Sequence, residues 1–302
     1  MTDGRPAPTR RGVHQRLQRL PEVRGRSYAT GGTLPLRVEL VRQLRRRRTQ
    51  LALLVLVVLP ILIAIAFKVG GARSGSSSGA PALVDLAATG GANFAMFAEY
   101  ASVGFLLVVI VALFCGDTVA SEASWASLRY LLAMPVPRAR LLRQKLVIAL
   151  GLSVAANVLL PAWSLLVGGV VFGWAPARSP LGGTFSFGTA CERLAVVVAY
   201  VCLQSLVVAG LAFMLSVLTD APLGAVGGAT MLIVVSNILD SITALDPYRQ
   251  YLLTHFQYSW LDALGPNIVW DDMIRGTGAA LVYAAVFFAI AWWRFDSKDI
   301  TS

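Results

Sequence analysis

Six stretches of this chain run without Asp, Glu, Lys or Arg: Gln50 to Phe67, Tyr100 to Gly116, Leu146 to Ala177, Leu194 to Thr219, Ala221 to Leu239 and Gly276 to Trp293. A helix needs about 20 mostly apolar residues to cross the hydrocarbon of a bilayer. The stretches are continuous in their apolar character and do not alternate. That selects helices over the strands of a barrel. The pattern predicts an all-α integral membrane protein with six transmembrane helices, at about residues 50–69, 95–116, 146–173, 193–219, 221–240 and 276–294. Composition agrees. The 302 residues are 56% hydrophobic and 14% charged, whereas a soluble domain carries about a quarter charged residues.

Charge then orients the spans. The net charge is +10, and 20 of the 26 basic residues precede span one, separate spans two and three, or follow span six. These three segments share one side of a six-span topology. The positive-inside bias places them, and both termini, in the cytoplasm. Arg45, Arg46, Arg47 and Arg48, directly before the first span, are the strongest anchor. Moving four charges against 100 mV costs roughly 9 kcal/mol. A basic N-terminus also suits nucleic acid, but no aromatic interleaving or known motif accompanies it, and no nucleic-acid partner is expected.

The segments between spans differ in kind. Residues 1–33 are rich in Arg, Pro, Gly and Thr and read as a disordered basic tail. Residues 34–49 follow as an amphipathic helix before the first span. Leu36, Leu40, Val41 and Leu44 share one face, and Arg37, Arg42, Arg45, Arg46 and Arg48 fill much of the rest. Such a helix suits the lipid headgroup layer, or extends span one into the cytosol. Residues 50–302 form the six-span domain. Its first outer loop is small and Gly/Ser-rich, and the link between spans four and five is a tight hairpin. Asp240 to Arg275 is aromatic, with Tyr248, Tyr251, Phe256, Tyr258, Trp260 and Trp270. One or two short interfacial or re-entrant helices are expected there.

Catalytic chemistry is not visible in the sequence. None of the three lysines, Lys68, Lys145 and Lys298, follows a glycine, so there is no G-x-x-x-x-G-K-[ST] loop. His14 and His255 are the two histidines, and no His/Cys/carboxylate spacing suits zinc. No G-x-S-x-G elbow appears. No cofactor or metal is expected on this chain. Cys191 and Cys202 would lie about 16 Å apart on a helix, so no cysteine pair looks bridgeable. The apolar run begins some 50 residues in, too late for a cleaved signal peptide.

Charges within membrane spans usually mark ion paths. Glu99 is expected near the outer end of span two, and Glu192 and Arg193 at the start of span four, with none at a midplane. That argues for an energy source off the chain. The deep polar residues Asn157, Gln204, Ser205, Ser236 and Asn237 are neutral. They suit helix-to-helix hydrogen bonds first, and a substrate path second, for which Asn157, Gln204, Ser236 and Asn237 are the candidates. Gly169-x-x-x-Gly173 and Gly224-x-x-x-Gly228 have the spacing of close helix contacts.

One polar stretch interrupts the apolar pattern: SEASWASLRYLLAMPVPRARLLRQK, Ser121 to Lys145. Trp125, Leu128, Leu131 and Leu132 form a stripe on a predicted helix that Pro135 ends. Pro137 can open the next helix, and Arg138, Arg140, Arg143 and Lys145 lead it into span three. Helix, break and basic helix all fall on the cytoplasmic side. The arrangement suits a grip for a cytoplasmic partner, or contact with the anionic inner leaflet.

Here the chain resembles ABC-2-type transporter permeases, the transmembrane subunits of type V ABC exporters. Glu122, Ala126-Ser127-Leu128, Leu131-Leu132, Pro135, Arg138 and Lys145 are similar to that family's E…GTL…LL…P…R…K pattern, with Ala126-Ser127 where the pattern has Gly-Thr. The ending RFDSKDI is similar to its F-x-x-x-D tail. The resemblance implies that residues 117–145 form a coupling loop seated in a groove of an ATPase subunit. Glu122, Trp125, Leu128, Arg129, Tyr130, Leu131, Pro135 and Arg138 would make that contact. It further implies two ATPase copies carrying ATP and Mg, a second permease, identical or homologous, and a place among membrane lipids in a plasma membrane. High Arg and Ala content points to a bacterial source. The expected function is ATP-driven export of a hydrophobic, lipid-like or drug-like solute. A non-transporting assembly or regulatory factor that works with an ABC ATPase is the first alternative. A secondary carrier, which needs a buried intramembrane carboxylate, is the second.

Overall fold

The computed structural model describes residues 36–70, 83–124 and 138–296. The N-terminal tail and most of the predicted partner-contact stripe, Trp125, Leu128, Arg129, Tyr130, Leu131 and Pro135, lie outside the described residues. So does Asp299 of the C-terminal pattern.

The described chain is all-α apart from one two-stranded hairpin. Helix α1 is Leu36–Leu44 and α2 is Arg47–Gly70. A single turn, α3, Leu83–Leu86, leads to α4, Gly91–Val103, and α5, Leu106–Ser124. The long α6 spans Arg138–Phe172. Strands β1, Ala177–Arg178, and β2, Thr184–Phe185, pair antiparallel. Then come α7, Phe187–Leu218, α8, Pro222–Asp240, and α9, Asp271–Asp296. Five helices, α2, α6, α7, α8 and α9, are long and apolar enough to cross a membrane, or six spans if the bent pair α4 and α5 counts as one.

Local chemistry explains most boundaries. Gly173, at φ +88°, ends α6 in the left-handed conformation that spares glycine a steric penalty, and its amide returns to Gly169 O at 3.0 Å. Gly182 and Gly183, both at positive φ, turn the hairpin. Ser186 caps α7 by accepting from the Thr189 amide at 3.2 Å. Pro222 opens α8, where its missing N–H costs nothing. Pro60 lies inside α2 and deprives the Leu56 carbonyl of its amide. One residue on, Trp163 of α6 donates its indole N–H to Val57 O at 3.0 Å.

The second predicted span differs from expectation. It is not one straight helix over 95–116 but two helices bent by 59° at residues 104–105. The Val103 carbonyl accepts from the side-chain amide of Gln257 at 2.6 Å. The Tyr258 hydroxyl fills the space that a side chain on Gly104 would occupy. The aromatic segment after α8 is thus wedged into the break, which a pattern of apolar residues along the span alone does not reveal.

Helix α7 is the hub, packed on α4, α5, α6, α8 and α9, while α2 leans on α6 from outside. Two apolar clusters fill the interior. One joins Leu56, Phe114, Leu160, Val197, Tyr200 and Trp260. The other joins Val111, Leu142, Phe213, Ile233 and Phe295. Close helix contacts need small residues in membranes, and here they come from Gly91 of α4 and Gly169 of α6. A Cβ on Gly91 would stand 2.7 Å from the Gly169 amide nitrogen. In the second predicted glycine pair, Gly228 faces Leu215 of α7, whereas Gly224 has only Thr219 and Ala221 of the α7–α8 link nearby.

The segment 241–270 folds into three 3-10 turns, Thr243–Leu245, Tyr248–Tyr251 and Ser259–Leu264, in place of the expected short α-helices. Its aromatics divide. Tyr248 and Tyr251 are exposed, whereas Trp260 is fully buried in the core. Tyr200 Oη donates to Phe256 O at 2.6 Å and Tyr283 Oη to Tyr251 O at 2.6 Å, which ties the segment to α7 and α9.

Candidate functional site

Among the described residues, two groups of polar side chains include residues that the sequence singles out. The first gathers where α1, α2, the end of α5 and the start of α6 meet. Helix α1 turns its polar face inward: Glu39 and Gln43 are buried, and Leu36, Leu40, Val41 and Leu44 are exposed. The sequence identifies the apolar face correctly, but not that the opposite face docks on the protein. Glu39 bonds Arg42 and Gln43 on its own helix, each at 3.3 Å. It also stands 3.8 Å from the ammonium of Lys145, which is itself buried on α6. On α5, Asp117 accepts from Arg46 at 2.7 Å and from Arg48 at 2.8 Å. Asp117 and Lys145 are the two ends of the predicted coupling loop. Each stem of that loop is therefore ion-paired to the segment that enters the first span.

Of the predicted partner contacts, Glu122 falls in the last turn of α5 and Arg138 is the first residue of α6. The basic stretch and the third span are one continuous helix of 35 residues. The sequence does not reveal Glu39, Asp117 and Lys145 as a group. Asp117 leaves a signal, an isolated acid at the edge of the apolar run Tyr100–Gly116, which becomes informative once its partners are known.

The second group lies at the break between α4 and α5. A cavity of about 30 Å³ is lined by Val103, Leu107, Asn157, Gln204, Ser205 and Thr254 among others, with Gln257 closing it. Asn157 and Gln204, two of the predicted substrate-path residues, meet here. Ser236, the third, stands behind the wall and shares a hydrogen bond of 2.9 Å with Thr254. Asn237 does not reach the cavity wall. Asn157 donates to Ser153 O at 2.9 Å and to Ser205 Oγ at 3.3 Å, which joins α6 to α7. Gln204 donates to Tyr200 Oη at 2.8 Å. The structural role expected of these residues and the lining role are thus filled by the same side chains.

Glu99, one turn before Val103 on α4, is fully buried, and neither carboxylate oxygen has a hydrogen-bond partner. Sequence reasoning placed it near a span's outer end. The packing encloses it instead, because the broken span brings α4 against α6 and α7. Arg193, expected to pair or reach outward, donates to Ala263 O at 3.0 Å and Pro266 O at 3.3 Å and lies over the Phe185 ring. All three cysteines are free thiols. Among the described residues, no three His, Cys, Asp or Glu side chains come together as a metal site.

A family model described as a protein of unknown function, DUF2705, matches residues 61–301. The chain belongs to this family. No curated protein matches it. The DUF2705 match begins just after Pro60 in α2. It takes in the broken span, the 117–145 loop, the cavity and the aromatic segment, and α1 precedes it. The ion pairs of Glu39, Arg46 and Arg48 therefore join a segment before the matched region to two positions within it.

Proposed function

We propose that this DUF2705 protein is the transmembrane permease subunit of an ATP-driven exporter of the ABC-2 type. The observation that carries the reading is the charge-paired base. Both stems of the 117–145 loop are held by the segment that enters span one, through Asp117 and Lys145. A force applied to such a loop passes directly to three helices at once, which a merely connecting loop does not need. The resemblance in order and spacing around Glu122, Pro135 and Arg138 supports the same reading.

In this account the chain crosses the membrane six times, with α4 and α5 as one broken span. The end that holds α1 faces the cytoplasm together with both termini. Helix α1 lies in the headgroup layer with Leu36, Leu40, Val41 and Leu44 toward lipid. A separate ATPase, in two copies, supplies ATP and Mg chemistry, and a second permease completes the assembly. The solute is hydrophobic or lipid-like. An apolar groove of about 250 Å³ between α2 and α6, with Lys68 at its edge, suits entry from the membrane.

The reading is tested by Trp125→Glu and Pro135→Ala in the reconstituted complex. Both variants insert normally, and ATP hydrolysis is uncoupled from transport. Full ATP-driven transport by Trp125→Glu removes the docking assignment. One observation favours a second reading. Glu99 is the buried intramembrane carboxylate that an ion-coupled carrier requires. Transport driven by an ion gradient without ATP would select that reading.

A further inference from the structure

Oxygen atoms without a hydrogen-bond partner lie in the wall of the cavity at the helix break, on Asn157 and Gln257, and on Glu99 and Ser102 of the α4 turn that leads to the wall residue Val103. Both oxygens of Glu99, Ser102 Oγ, Asn157 Oδ1 and Gln257 Oε1 are buried without a hydrogen-bond partner. Burying an unsatisfied polar atom costs about 1–3 kcal/mol, and more for a charge. Several in one place need a common explanation.

On the two amides the chemistry is one-sided. The amide nitrogens of Asn157 and Gln257 are already engaged, with Ser153 O and Ser205 Oγ in the first case and Val103 O in the second. What remains free on both side chains is the acceptor end. The two amides are therefore fixed with their oxygens available, and no flip exposes a donor without breaking those bonds.

Position brings them together. Glu99, Ser102 and Val103 are i, i+3 and i+4 on α4, hence on one face. Val103 lines the cavity. Helix α4 packs against α7, whose Ser205 lines the cavity. Asn157 from α6 and Gln257 from the wedged segment line the cavity itself. The C-terminal end of α4 also points here, and a helix C-terminus carries partial negative charge.

Size and charge narrow the occupant. About 30 Å³ holds one water-sized body, which excludes a drug-like solute. One carboxylate with neutral oxygens balances a single positive charge. A divalent ion of the calcium or magnesium type takes six or more oxygens and commonly more than one carboxylate. Broken helices with freed oxygen ligands are a known way for membrane proteins to hold sodium or protons. No Lys, Arg or His forms an ion pair with Glu99 among the described residues.

We propose that Glu99, with the oxygens of Ser102, Asn157 and Gln257, forms a binding site for one small monovalent cation of sodium-like size at the break between α4 and α5. The site does not depend on the export reading, since it is a property of this chain alone. Bound there, the cation would tie α4, α6, α7 and the 241–270 segment together at the bend.

The test uses the full chain purified in lipid nanodiscs. Binding of radioactive sodium is measured directly, in competition with lithium, potassium and choline chloride at constant ionic strength. The expected result is saturable binding of about one ion per chain, displaced by lithium or unlabelled sodium and not by choline. Glu99→Gln, which keeps the shape and removes the charge, and Gln257→Met should each weaken binding by about tenfold or more. Thermal unfolding of the wild-type chain should rise with sodium and not with choline. Absence of saturable alkali-cation binding to the wild-type chain overturns the proposal, whatever the variants do. Binding unchanged in a folded Glu99→Gln chain overturns it too.

Discussion

Asp117 illustrates what a single side chain does in this fold. Its carboxylate is mostly buried and takes hydrogen bonds from two arginines, Arg46 at 22% and Arg48 at 60% side-chain exposure. The Arg46 bond is the stronger contributor, because an exposed partner is screened by water. Asp117→Asn keeps the shape and removes the charge. It should cost about 2 kcal/mol, the scale of one charge-assisted hydrogen bond, read as a lowered unfolding temperature in detergent. Gly91 sets a different constraint, since its lack of a side chain lets α4 lie against the backbone of Gly169. Gly91→Val should separate α4 from α6 and cost about 1–3 kcal/mol, seen in the same measurement. The sequence exposes the GxxxG spacing that contains Gly169, but not its partner. Gly91 lies outside the apolar run that predicts the second span, and only the bend brings it to α6.

At the scale of elements, α1 is the piece whose role depends on which face is considered. Its apolar positions are legible from spacing, and they are exposed as an interfacial helix requires. The buried face, Glu39 and Gln43, carries no periodic signal, because two polar residues on a polar face look like any solvated pair. Glu39→Lys sets like charges beside Lys145, and should destabilise by about 3–5 kcal/mol, as breaking a buried pair does. Glu39→Lys with Lys145→Glu restores the sign match and should recover part of the loss. Equal loss in the single and double variants would mean that packing, not charge, holds α1 in place. The broken span teaches the complementary lesson. Apolar run length locates α5 and part of α4, and it misses the bend because the causes, Gln257 and Tyr258, lie some 150 residues away in sequence. The mark that this insertion leaves locally is one glycine, Gly104, whose missing side chain makes room for Tyr258. Proline or glycine alone is a poor guide here. Pro60 and Pro161 both lie inside continuous helices.

For the whole molecule, the distribution of charge and of apolar runs reads directly as a membrane-spanning helical bundle, and five or six of its helices have the length and character to cross. The proposed orientation rests on the arginine count alone, so it has its own test. A tag at residue 75 should be reached by reagents from outside intact cells and not from the cytoplasm. The proposed cytoplasmic docking role of 117–145 rests on the ion-paired stems and on the resemblance of the pattern between them to ABC-2-type permeases. Its most direct measurement is purification of the tagged chain in mild detergent, with its stoichiometric partners identified by mass spectrometry. The account predicts an ATPase chain bearing a Walker A loop, together with a second permease, identical or related. Recovery of the chain with no ATPase across several detergents would contradict it.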